Sequence, residues 1–101
     1  MRFVLATMGS HGDVNPYLTV ARALRARGHE AVLATHAHYR PLVEGAGFAL
    51  RPVRPDYEAS WGPLVMDPRR GAEVLLRELT LRVRESYDDL LAATRDADVL
   101  L

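Results

Sequence analysis

The stretch Phe3-Val4-Leu5-Ala6-Thr7-Met8-Gly9-Ser10-His11-Gly12-Asp13-Val14-Asn15-Pro16 decides the fold. Its first six residues form a short apolar run ended by Gly9, the pattern of a strand buried on both faces. Gly9 to Asn15 is polar and carries two glycines, so it reads as a loop. Pro16 suits the first position of a helix, where its missing N–H is no loss, and Asn15 then reads as the N-cap. Leu18, Ala21 and Leu24 repeat on one helical face, and Gly28 suits the residue that ends the helix.

Outward from this stretch the same alternation continues. Ala31 to Thr35 repeats the buried-strand pattern, and His38 to Ala46 reads as a short helix with Pro41 in its first turn. Phe48 to Val53 is a third strand bounded by Pro52 and Pro55. Residues 54–70 hold three prolines and Gly62, which predicts a long loop. From Gly71 to Thr94 one helix is expected, because Leu75, Leu79, Val83, Tyr87 and Leu91 recur every four residues as one apolar stripe, read as packing. Glu78 with Arg82 and Arg84 with Asp88 are opposite charges one turn apart. Ala97 to Leu101 starts a fourth strand.

Strand and helix in regular alternation imply right-handed crossovers and an α/β fold: a Rossmann-like parallel sheet with flanking helices. A last strand with no helix after it would leave a face uncovered, so the chain is expected to be residues 1–101 of a partial N-terminal domain within a longer protein. The composition excludes several classes. All 13 basic residues are Arg and they balance 13 acidic ones, so there is no basic footprint for nucleic acid. There is no Cys, and no apolar run nears the ~20 residues that span a bilayer. The start is too short for a signal peptide core, and a cytoplasmic domain is the expectation.

Ligands of open parallel sheets bind outside the carboxyl ends of the strands. There the loop after the first strand offers a hydroxyl, an imidazole and a carboxylate from Ser10, His11 and Asp13, with Gly9 and Gly12 as backbone requirements. It lacks G-x-G-x-x-G and G-x-x-x-x-G-K-[ST], so dinucleotide and P-loop readings lose their support. Asp13 reads either as a general base or as a cap of the following helix. Ser10 suits either a ligand contact or a local hydrogen bond to backbone or to Asp13. His36 and His38 lie near a strand end, yet two histidines without a third ligand are weak grounds for a metal. Tyr57, Trp61 and Met66 make the loop 54–70 rich in large apolar groups, either a satellite cluster or a ligand wall.

The run Met8-Gly9-Ser10-His11-Gly12-Asp13-Val14-Asn15-Pro16, then Leu24, then Arg27-Gly28-His29-Glu30-Ala31-Val32, resembles the N-terminus of GT-B fold glycosyltransferases of the UDP-glycosyltransferase superfamily. The likeness is to the branch of sterol glucosyltransferases and bacterial natural-product glycosyltransferases. It covers about the first fifty residues in motif and the rest in element order. The resemblance implies an inverting transfer of a sugar to a hydroxyl of a bulky lipid- or natural-product-like acceptor. It implies Asp13, two residues before Asn15, as general base, with His11 as fallback. Ser10, His11, Gly12, Tyr57, Trp61 and Met66 are the expected acceptor-binding residues.

No resident cofactor and no metal are implied. A nucleotide-sugar donor, UDP- or dTDP-linked, is the co-substrate, bound mainly by a C-terminal donor-binding domain absent from these residues. The small-molecule acceptor is the partner of this part, and peripheral membrane contact stays compatible with it. Two other readings fit the sequence: a non-catalytic α/β binding module, and a sugar-nucleotide epimerase of the same two-domain architecture.

Overall fold

The apolar runs become the strands of one parallel sheet. A computed structural model describes residues 1–55 and 66–101. Strands β1 (Arg2–Ala6), β2 (Glu30–Thr35), β3 (Ala49–Pro52) and β4 (Val99–Leu100) lie in the order β3-β2-β1-β4. Between them run α1 (His11–Ala26), a 3-10 turn (Ala37–Tyr39) leading into α2 (Arg40–Gly45), α3 (Gly71–Leu81) and α4 (Val83–Thr94). Arg2 to Ala6 pair with Glu30 to Ala34, and Phe3 and Val4 pair with Val99 and Leu100, so β1 is hydrogen-bonded on both sides.

Alternation along the strands sends neighbouring side chains to opposite faces, and both faces are covered. Leu5, Ala31 and Leu33 pack with Val14, Leu18 and Ala21 of α1 and with Val43 of α2. Val4 and Ala34 point the other way, onto Val53 and Ala93, the latter from α4. Val4 and Leu5 are both 0% exposed, which explains why β1 reads as an unbroken apolar run rather than an alternating one. Pro52 sits at the end of β3, an edge strand, where a missing N–H breaks no ladder.

Two expectations are corrected. The helix after β1 starts at His11, not Pro16, and its N-cap is Ser10, not Asn15. Local hydrogen bonding from Ser10 to Asp13 nucleates the helix five residues early, and Pro16 then lies inside it without a backbone N–H for the Gly12 carbonyl. The long C-terminal helix is also two: Arg82, at φ −116° and ψ 8°, separates α3 from α4.

The apolar stripe is likewise not the packing face of α4. Val83, Tyr87 and Leu91 are exposed, Tyr87 at 55%. The face that docks is Ser86, Asp89, Leu90 and Ala93, about 100° around the helix. Ala93 lets α4 approach Val4 and Ala34, while Ser86 Oγ donates to the Arg54 carbonyl. The Arg54 amide and guanidinium donate to Asp89 at 2.8, 2.9 and 3.1 Å. The expected pairs Glu78–Arg82 and Arg84–Asp88 form, at 3.5 and 3.4 Å.

At the amino edge of the sheet, Asp96 is held between two arginines. Arg51 donates to its two oxygens at 2.5 and 3.0 Å, and Arg2 Nη1 donates to it as well. Arg51 also reaches the Ala93 carbonyl at 2.7 Å, satisfying the end of α4. Hydrogen bonding from Arg51, backed by the charges of both arginines, holds the Asp96 carboxyl down at about 2 against its usual 3.8. Because the folded-state value lies below the unfolded one, the interaction stabilises the fold above about pH 4 and is lost as pH falls toward 2. Asp96→Asn is expected to lower the thermal midpoint at pH 7 and to flatten its fall between pH 4 and 2. Melts of both proteins across that range check this, and equal acid slopes would assign the titration elsewhere.

Candidate functional site

The strand order reverses at β1, whose neighbours lead in opposite directions along the chain: β2 follows at once, and β4 only after β3. The carboxyl end of β1 is therefore the switch point at which open α/β sheets bind ligands. What stands there is set by three consecutive backbone events. Gly9 takes φ +117°, Ser10 is extended at φ −92° and ψ 178°, and α1 begins at His11. The Ser10 carbonyl accepts from Asp13 N–H and Val14 N–H at 2.9 and 3.2 Å. In return Asp13 Oδ2 accepts from Ser10 N–H at 2.8 Å and from Ser10 Oγ at 3.1 Å. This is the acid half of a capping box.

Asp13 is exposed at the carboxyl edge. Its Oδ2 is occupied twice, while Oδ1 accepts no hydrogen bond among the described residues. Its backbone carbonyl accepts from Thr7 Oγ1 at 3.2 Å, which ties the first turn of α1 back to the end of β1. The cap reading of Asp13 is thus realised in the structure by one oxygen, and the second stays available to a proton donor.

Ser10, His11 and Gly12 share this exposed first turn. His11 lies edge-on to the Tyr39 ring with centroids 5.1 Å apart, and His38 is likewise edge-on to that ring at 5.1 Å. The two glycines differ. A Cβ on Gly9 would collide with the Asp13 carboxylate, and its φ already excludes most L side chains. A Cβ on Gly12 would meet only Ser10 Oγ, at an ordinary 3.5 Å, and its φ is not positive. Gly12 is therefore no backbone requirement of this chain, contrary to the expectation from sequence.

Of the other expected acceptor residues, Tyr57 and Trp61 lie outside the described residues. Met66 is 82% exposed, just before α3. Two residues that the loop motif did not single out converge on Gly9. His36 Nε2 accepts from Gly9 N–H at 3.1 Å, and the Tyr39 hydroxyl donates to the Gly9 carbonyl at 2.6 Å. Both are buried and both follow β2, the strand beside β1. Sheet adjacency was the signal that could have found them. Among the described residues no group of three His, Asp or Glu could hold a metal ion, and no helix is long and apolar enough to cross a membrane.

Residues 3–94 match the glycosyltransferase family 28 N-terminal domain. The chain belongs to that family. It is 48% identical over 73 residues, 70% of its length, to the O-mycaminosyltylonolide 6-deoxyallosyltransferase of Streptomyces fradiae. Over its full length it is 34% identical to the sterol 3-beta-glucosyltransferase of Emericella nidulans. It spans 17% and 7% of those two proteins.

Among solved structures, the glycosyltransferase SnogD of Streptomyces nogalater superposes on 99% of the chain with TM-score 0.70 and 26% identity. SsfS6 of Streptomyces sp. SF2575, complexed with thymidine diphosphate, does so on 99% with TM-score 0.71 and 25% identity. The chain covers 27% and 32% of those structures. The Rossmann-like fold and the family expected from the glycine loop are both found.

For this family 28 domain, Gly9→Ala carries a specific penalty. The positive φ should lower stability by ~1–3 kcal/mol, and the added methyl should push the Asp13 carboxylate off Ser10. Chemical denaturation of the variant checks the first effect. An unchanged unfolding midpoint would show that the turn relaxes freely.

Proposed function

We propose that this chain is the acceptor-binding, N-terminal part of an inverting glycosyltransferase, with Asp13 as the general base. The observation that carries this reading is the divided carboxylate. One oxygen is pinned by Ser10, and the other is without a hydrogen bond on an exposed residue at the switch point of the sheet. The pinned oxygen fixes the direction of the free one, as proton transfer from a bound hydroxyl requires.

In the proposed step Oδ1 takes the proton of the acceptor hydroxyl as its oxygen attacks the anomeric carbon. The bond from that carbon to the nucleoside diphosphate breaks on the opposite face, and its electron pair leaves with the phosphate. Asp13 then returns its proton to solvent, to which it is open. Its place in the first turn of α1 sets it at the positive end of the helix dipole.

The donor is a UDP- or dTDP-linked sugar held mainly by a C-terminal domain beyond these residues. Support comes from the family match and from the thymidine diphosphate complex of SsfS6. The acceptor is a bulky hydroxyl compound, lipid- or natural-product-like, in keeping with the sterol and the tylonolide derivative in the relatives' names. Ser10, His11 and Gly12 line its reacting end, Tyr57, Trp61 and Met66 its far wall, and the cytoplasm is the compartment. The family match favours transfer over a binding module or a sugar-nucleotide epimerase.

In the complete enzyme Asp13→Asn is expected to cut kcat at least ~10²-fold while acceptor KM stays near its original value. Steady-state transfer assays check this, and near-normal turnover would exclude Asp13 as base. Gly12→Ala separates the ligand from the scaffold. With no clash to relieve and a better helix former in place, stability should hold or rise by up to about 1 kcal/mol. Acceptor KM should rise, because the methyl enters the space beside Asp13. An unchanged KM would remove Gly12 from the acceptor pocket.

A further inference from the structure

We propose that Tyr39 and His36 act as positioning residues for the transfer step, clamping the Gly9 backbone and through it the Asp13 carboxylate. The inference rests on Asp13 as base. Its physical core is one peptide group. The Gly9 carbonyl and the Ser10 N–H belong to the same planar amide, so fixing one end fixes the direction of the other. The Tyr39 hydroxyl donates to the carbonyl end at 2.6 Å, and the N–H end donates to Asp13 Oδ2 at 2.8 Å. A buried side chain after β2 thereby aims an exposed carboxylate after β1.

His36 holds the preceding amide in the same way. Gly9 N–H can only donate, so the His36 Nε2 that it meets at 3.1 Å carries the lone pair. Nδ1 then carries the proton and donates to the Pro55 carbonyl, 2.5 Å away. The imidazole is thus neutral, of one tautomer, and buried. It fastens the β1–α1 turn to the end of the segment that leaves β3.

With both amides of Gly9 held and φ at +117°, the residue has no freedom left to rotate Ser10 N–H away from Asp13. The clamp has the character of a preorganising device rather than a fold determinant. The sheet and α1 are already bound by their own ladders and by the Leu5, Val14, Leu18 and Leu33 core. What Gly9 adds is direction for a single carboxylate, and misplacement by ~1 Å is enough to slow a proton transfer up to ~10²-fold.

The test uses the complete enzyme and glucosyl transfer from UDP-glucose or dTDP-glucose to ergosterol or O-mycaminosyltylonolide, whichever pair turns over fastest. Tyr39→Phe keeps the ring and removes the hydroxyl. It is expected to lower kcat about 10-fold with acceptor KM little changed. Asp13→Asn combined with Tyr39→Phe should be no slower than Asp13→Asn alone, because the clamp has nothing left to aim.

His36→Gln places an amide oxygen where Nε2 stood and should keep most of the activity. His36→Asn, reaching only the Nδ1 position, should lose as much as Tyr39→Phe. This pair decides the matter should Tyr39→Phe fail to melt cooperatively. Transfer to neither acceptor, or full turnover by Asp13→Asn, overturns the reading of Asp13 and the inference with it. A large effect of Asp13→Asn beside normal kcat in Tyr39→Phe overturns the clamp alone. So do losses that multiply in the double variant, or equal rates for the Gln and Asn replacements.

Discussion

The structure depends on β1 being covered on both faces and paired on both edges. Val4 and Leu5 are adjacent in sequence yet fully buried in separate clusters, one against α4 and the other against α1 and α2. That double burial makes β1 the axis about which the chain reverses direction. Everything of chemical interest follows from what stands beyond its last residue. A sheet with β1 at its edge would place the same Gly9–Asp13 run beside solvent, with no crevice for a ligand.

The site is built by local hydrogen bonding laid over that frame. Ser10 and Asp13 close the first turn of α1 around a single shared oxygen, and the helix starts where this pair allows it. Capping leaves room for the acid–base role proposed for Asp13, since a carboxylate has two oxygens and the cap uses one. Pro16, which by its own preference marks a helix start, is carried into the helix interior because the upstream cap is satisfied first. Its missing N–H leaves the Gly12 carbonyl, in the first turn, without its intrahelical donor.

The C-terminal pair of helices shows how a sequence pattern can be sound and its consequence wrong. A four-residue apolar repeat does give helices, and its opposite charges do pair. Yet α4 is docked by small and polar contacts: Ala93 on the sheet, and Ser86 and Asp89 on Arg54. Close approach to the sheet favours a short side chain, and the amide and guanidinium of Arg54 are matched by a carboxylate. The larger residues Val83, Tyr87 and Leu91 are thereby turned outward.

The fold class, the strand positions and the family were legible in the sequence, because apolar runs of strand length alternate with helical periodicity and the glycine–acid–proline motif is specific. Ser10, His11 and Asp13 could be named from the same motif, since they are contiguous. What only the tertiary structure decided is how Asp13 is held and aimed. Tyr39 and His36 reach Gly9 across 30 and 27 residues of chain. No local pattern encodes a contact created by the pairing of β1 with β2, because sheet register brings distant strand ends together only after folding.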